Sequence, residues 1–259
     1  MTLKSASTYR SSLDVAAIGN GRIAALIEPG GRIVWWCFPR LDGDPIFCRL
    51  LSGNEEKGFC DIQLEGQISA TSSYVRNTCI LETILVASNG ARVKITDFAP
   101  RFVRFGRSFH PTQLVRRIEP LNGLPRIVCR IRPTLGYGES AASASQGSNH
   151  VRYSSPGSTA IRVTTDLAVS YIVHETPFAL THPITLVLGS DEPIESSVDA
   201  ISREFLDQTR DYWVQWVRGL AIAYEWQPDV IRAAISLKLC TFEETGAITA
   251  ALTTSIPEA

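Results

Sequence analysis

The sequence predicts a mainly β protein, an antiparallel β-sandwich whose helices are confined to its last quarter. Three observations carry that expectation. Between about residues 12 and 190, short apolar-rich segments recur, separated by turns of Gly, Asn and Pro. Within such segments apolar and polar residues alternate, as a strand with one buried face requires. From about Ser197 the apolar spacing changes to steps of three and four, the period of a helix.

Residues 22–28 and 32–38 flank Pro29-Gly30-Gly31, a hairpin signal because glycine accepts positive φ without steric cost. Residues 79–87 and 91–98 flank Ser88-Asn89-Gly90, and in the second segment Val93, Ile95 and, after Thr96-Asp97, Phe98 alternate with polar residues. A third pair, 112–119 and 125–133, surrounds Asn122-Gly123. Further strands are expected at 160–165, 168–174 and 184–189. The small-residue stretch 139–149, ESAASASQGSN, reads as a mobile loop. Repeated strands with short polar turns and no helical pattern between them form a sandwich.

Val198, Ile201, Phe205, Trp213, Trp216 and Leu220 then lie on one helical face. Trp226-Gln227-Pro228-Asp229 opens a second helix, with Pro in its first turn and an acid at its positive end. That helix, 229–243, is apolar on more than one side: Val230, Ile231, Ala234, Ile235, Leu237, Leu239 and Phe242. Such a helix expects neighbours on several sides. Gly246 is its expected stop, and the residues after it supply almost no partner helices. The organisation expected is therefore a sandwich over 1–195, a helical linker over 196–226 and a helical segment over 227–259.

Composition narrows the function classes. The 259 residues carry 25 Lys+Arg against 26 Asp+Glu, and 44% are hydrophobic. A near-neutral, apolar-rich chain can bury a core that offsets its ordering entropy. It also lacks the basic excess of a nucleic-acid binder. No apolar run reaches 18 residues and the first 26 show no signal-peptide core, so no membrane contact is expected and the cytoplasm is the expected compartment. The six cysteines, Cys37, Cys48, Cys60, Cys79, Cys129 and Cys240, show no paired spacing and read as buried free thiols rather than a metal site or disulfide framework.

Few residues suggest chemistry. Gly19-Asn20-Gly21 lacks the third glycine and the opening helix of a dinucleotide site, so it is a tight turn before a strand. No cofactor is expected. Glu55-Glu56, Asp191-Glu192 and Glu243-Glu244 are adjacent acids, but glycoside hydrolysis needs two carboxylates facing each other across a substrate. They read as solvated faces or caps. His110, His150, His174 and His182 are isolated and read as surface or turn residues. Residues 35–45, WWCFPRLDGDP, leave a strand for a polar turn. An exposed indole beside Arg and Asp is the equipment of a sugar site, the ring covering a sugar face while the charged groups bond its hydroxyls. The alternative is that one Trp fills the core and the acids shape the turn. Neighbouring strand residues face opposite sides, so of Trp35 and Trp36 one is exposed or meets another domain.

Residues 18–51, IGNGRIAALIEPGGRIVWWCFPRLDGDPIFCRLL, resemble the opening segment of bacterial glycoside hydrolase family 15 proteins, the glucoamylase and trehalase-like enzymes. Thr96-Asp97-Phe98-Ala99-Pro100, Leu114-Val115-Arg116-Arg117-Ile118, and Arg132-Pro133 with Gly136-Tyr137-Gly138 follow in matching order. Tyr212-Trp213 with Trp216, Leu237-Lys238-Leu239, Thr245-Gly246-Ala247-Ile248 and Thr253-Thr254-Ser255-Ile256-Pro257-Glu258 complete it. The resemblance implies a supersandwich-like β-sandwich, a helical linker and the first helix of a truncated (α/α)6 barrel. It implies hydrolysis of α-glucosidic bonds with inversion, by two glutamates in a barrel beyond residue 259. The chain is then expected to lack the catalytic acid and base and to support the barrel and its active-site mouth. Trp36, Arg40, Asp42 and Asp44 are the candidates for reaching the barrel or its α-glucoside. The expected partner is the catalytic helical barrel of the same parent chain or of a separate protein. The alternative function is a free-standing carbohydrate-binding or protein-interaction module. The exposed apolar helix predicts self-association of the isolated chain.

Overall fold

The computed structural model describes residues 14–52, 55–155, 157 and 159–256. The first residues of the expected sandwich, and Pro257 to Ala259 at the end of the expected helical segment, lie outside them. Two antiparallel sheets face one another. The first runs Ala16–Gly19, Ala24–Ile27, Ile33–Phe38, Phe59–Leu64, Arg126–Arg132 and Phe178–Ala179 in spatial order, with Asp44–Phe47 also paired to Ile33–Phe38. The second runs Ser143–Gln146, His150–Ser154, Ile161–Thr165, Ile184–Ser190, Gln113–Asn122, Arg92–Phe98, Leu81–Ala87 and Gln67–Tyr74. Alternation decides what each strand gives the interior: Cys129 and Ile131 from one sheet meet Leu85, Val93, Ile95, Leu114 and Ile118 from the other.

One polar group crosses this core. Arg116 donates to both oxygens of Asp97, from Nε at 2.7 Å and Nη2 at 3.0 Å, and across the sandwich to the carbonyls of Cys60 and Gly31. A buried guanidinium is tolerated because a paired carboxylate and carbonyls satisfy its donors. Its neighbour Arg117 faces the other way. It bonds Asp199 Oδ1 at 2.9 Å and Ser202 Oγ at 2.6 Å on the helix Val198–Arg218.

That linker helix starts at Ser197, whose hydroxyl accepts from Ala200 N. Val198 and Phe205 pack with Val115, Val187 and Phe98 on the outer face of the eight-stranded sheet, and Trp213 and Val217 reach the main core. The terminal helix Gln227–Leu239 lays Ile231, Ile235 and Leu239 against the sandwich. It is tied there by Arg232, which donates to Thr78 O and stacks 3.6 Å from the Tyr74 ring centroid.

Three expectations need correction. Residues 168–174 hold a short helix, Val169–Val173, because Val169 and Ile172, three apart, are the pair that the core takes up. The stretch 139–149 is not a bare loop. It contains Ser140–Ala141 and Ser143–Gln146, the latter paired with His150–Ser154 at the sheet edge. The helix expected to 243 ends at Leu239, after which Thr241–Phe242 pairs with Ala247–Ile248 around Gly246.

Candidate functional site

The polar turn after Ile33–Phe38 gathers the candidate residues but does not use all of them as expected. Trp36 is wholly buried, its ring 5.6 Å from that of Phe38 and 5.9 Å from that of Phe47. It packs within the core of the sandwich. Alternation sends Trp35 to the opposite face, where it too is buried. There Nε1 donates to Leu252 O at 3.1 Å, so the face expected to be exposed or to meet another domain is covered by the chain's own C-terminal segment.

Arg40 and Asp42 are exposed and form a two-pronged pair, Nε to Oδ1 at 2.9 Å and Nη2 to Oδ2 at 2.5 Å. The guanidinium holds the Asp42 carboxyl below its ordinary value of 3.8, so this acid is an acceptor rather than a proton donor. Arg40 also lies 5.3 Å above the Phe242 ring. Asp44 does something different. Its oxygens accept from Gly136 N at 2.7 Å and Tyr137 N at 3.0 Å, and the Tyr137 hydroxyl donates to Ser255 O at 2.6 Å. Beside it Cys37 Sγ is 3.2 Å from Ser255 Oγ.

A second anchor lies where sequence reasoning placed only a tight turn. Asn20 Oδ1 accepts from Arg22 N and Ile23 N, while its Nδ2 donates to the carbonyls of Pro100 and Pro111. Gly21 sits at φ +82, and a Cβ there would come within 2.8 Å of Arg101 Nη1. Arg101 occupies that space. It donates to Asn20 O and to Glu243 Oε1, the latter at 2.5 Å, and stacks 4.7 Å from the Tyr212 ring. Its own backbone N donates to Thr209 Oγ1 on the linker helix.

Burial pushes the Glu243 carboxyl up, but Lys238 and Arg101 pull it further the other way and hold it below its ordinary 4.5. A general acid of glycoside hydrolysis needs the opposite shift. The adjacent acids are thus not simply solvated: Glu55, Asp191, Glu243 and Glu244 each pair with an arginine. The arrangement can grip the segment 240–256 from three places on the sandwich. Among the described residues no group of three or more His, Cys, Asp or Glu could hold a metal ion, and no helix is long and apolar enough to cross a membrane. Glu243 stood out in the sequence only as one of two adjacent acids, and its pairing with Arg101, 142 positions away, carried no signal.

Comparison with known proteins identifies relatives of this chain. Residues 10–178 match the family described as "Trehalase-like, N-terminal". A trehalase of Thermoplasma volcanium is 26% identical over 257 residues, covering 93% of this chain and 39% of that protein. The Mycobacterium tuberculosis trehalase is 23% identical, covering 100% and 42%, and trehalase 1 of Sulfolobus acidocaldarius is 25% identical, covering 93% and 40%. The chain thus spans about two-fifths of the length of these relatives. With over half its residues matched, the chain belongs to the trehalase-like N-terminal domain family.

Proposed function

We propose that this chain is the sandwich-and-linker portion of a trehalase- or glucoamylase-like enzyme of glycoside hydrolase family 15, cleaving α-glucosidic bonds with inversion. On this reading 1–195 is the sandwich, 196–226 the linker and 227–259 the opening of the helical barrel that carries acid and base. The chain's own task is non-catalytic: it holds the barrel and shapes its mouth. Arg40, Asp42 and Asp44 are the sandwich residues assigned to that mouth. The enzyme works in the cytoplasm, for which the buried free thiols are suited.

One observation carries this reading. Segment 240–256 is held by Arg101, Trp35 and Tyr137, side chains from three separate parts of the sandwich. Such a seat fixes the direction in which a following domain leaves. The name trehalase carried by the relatives supports trehalose as the first substrate to try. The test is to incubate the gene product purified from its native cells with trehalose and maltose-type oligosaccharides, following early products by proton NMR. Inversion releases β-glucose before mutarotation. Absence of hydrolysis, or release of α-glucose alone, refutes the assignment. Replacing Arg40 by Ala in that product is expected to lower turnover while leaving the fold intact.

A further inference from the structure

Immediately after Arg101 the chain forms a hairpin, Phe102–Arg104 paired with Arg107–Phe109. Its base is fixed: the Phe102 ring lies 4.7 Å from Phe109 and 5.3 Å from Phe205 on the linker helix. Its tip is not built for stability. Arg104 pairs with Arg107, leaving Phe105-Gly106 as a two-residue turn with both φ values positive, 51° and 71°. Asn-Gly is the sequence that turn prefers, because a bulky side chain is strained at positive φ. This protein places a phenylalanine there and leaves it 93% exposed, beside Val103 at 65%. Strained backbone and exposed aromatic surface at one residue are features that stability alone does not select. The tip is also basic: Arg104 stacks on the Phe105 ring, Arg107 follows, and no acidic residue occurs between Asp97 and Glu119.

We propose that this hairpin is a docking finger. Phe105 and Val103 enter an apolar pocket on the catalytic part of the same polypeptide, and Arg104 and Arg107 meet carboxylates on the pocket's rim. The inference rests on the function proposed above. Three observations select this occupant. The finger grows from Arg101, the residue that also grips Glu243, so it is continuous with the seat of segment 240–256. The matched relatives are more than twice the length of this chain, which leaves room for a large partner domain. A glycosidase domain carries carboxylates for its chemistry, and carboxylates are the groups a basic tip complements. A second copy meeting this one tip to tip is disfavoured, since two basic tips repel.

The test uses the complete gene product with a photoreactive benzophenone amino acid at position 105, with crosslinked peptides identified by mass spectrometry. A crosslink to a peptide beyond residue 259 of the same polypeptide is expected. A crosslink to a second copy, one confined to residues 1–259, or none at all overturns the proposal. Phe105→Asn in the same protein gives an independent readout whose sign discriminates. If the tip were free, relief of the turn would raise the melting midpoint by about 2–4 °C. Docking predicts a fall instead, and a rise contradicts it. Hydrolysis is assayed separately, so a protein that crosslinks as expected but cleaves no α-glucoside keeps the docking finger and loses the enzymatic assignment.

Discussion

The two long helices bury themselves in different ways. Val198–Arg218 commits one stripe, Val198, Ser202, Phe205, Thr209, Trp213 and Val217, and its two polar members accept from Arg117 and from the backbone of Arg101. Gln227–Leu239 buries only Ile231, Ile235 and Leu239, and leaves Leu237 68% exposed with Val230 and Trp226 also open. A helix apolar on two sides and covered on one is a surface made for a further neighbour. The linker helix finds its apolar neighbours within this chain, whereas the terminal helix leaves Leu237 and Val230 in the open.

The sharpest way to break that contrast is to hollow out the linker helix. Trp213→Ala removes a fully buried ring that packs edge-on against Tyr212 and Trp216. It is expected to cost about 3–5 kcal/mol in urea unfolding. Thr209→Val keeps the shape but strands the buried Arg101 N–H, for an expected loss of about 1–3 kcal/mol by the same measurement. If the Thr209→Val variant were as stable as the parent, the bond from Arg101 N to Thr209 would add nothing net to the hold on the linker helix.

The seat of the C-terminal segment should respond to pH. The Glu243 carboxyl is held below its ordinary 4.5, so its ion pairs with Arg101 and Lys238 contribute stability above that pH. The contribution is lost as pH falls through the lowered value. Glu243→Gln is therefore expected to be less stable than the parent at neutral pH and to converge with it in acid, read from denaturant midpoints across that range. The smallest effect belongs to the open stripe. Leu237→Lys is expected to change folding stability by less than about 0.5 kcal/mol while reducing self-association in sedimentation experiments. A large destabilisation would show that Leu237 is already covered.

Much of this fold was legible because its strands obey one simple alternation. Arg92–Phe98 and Arg126–Arg132 sit within two residues of their expected bounds, since each turns one apolar face inward between strong turn residues. Residues 168–174 misled because a short run rich in Val, Ile and Tyr has strand propensity, and only tertiary contacts select the helix. Alternation also separated Trp35 from Trp36, but not that both would be buried, Trp36 in the sandwich core and Trp35 under the C-terminal segment. The Arg40–Asp42 pair was visible as a local spacing. Arg101, Tyr137 and Glu243 were invisible as a group, because long-range ion pairs and carbonyl contacts leave no periodicity in a single sequence.

The central claim is that this chain works as the non-catalytic part of a larger α-glucosidase, and the native mass of the gene product tests it most directly. A species well above 28.4 kDa, carrying this sequence and coinciding with trehalose or maltose hydrolysis on a sizing column, is the predicted result. A species of 28.4 kDa with no hydrolysis in its fraction would contradict it.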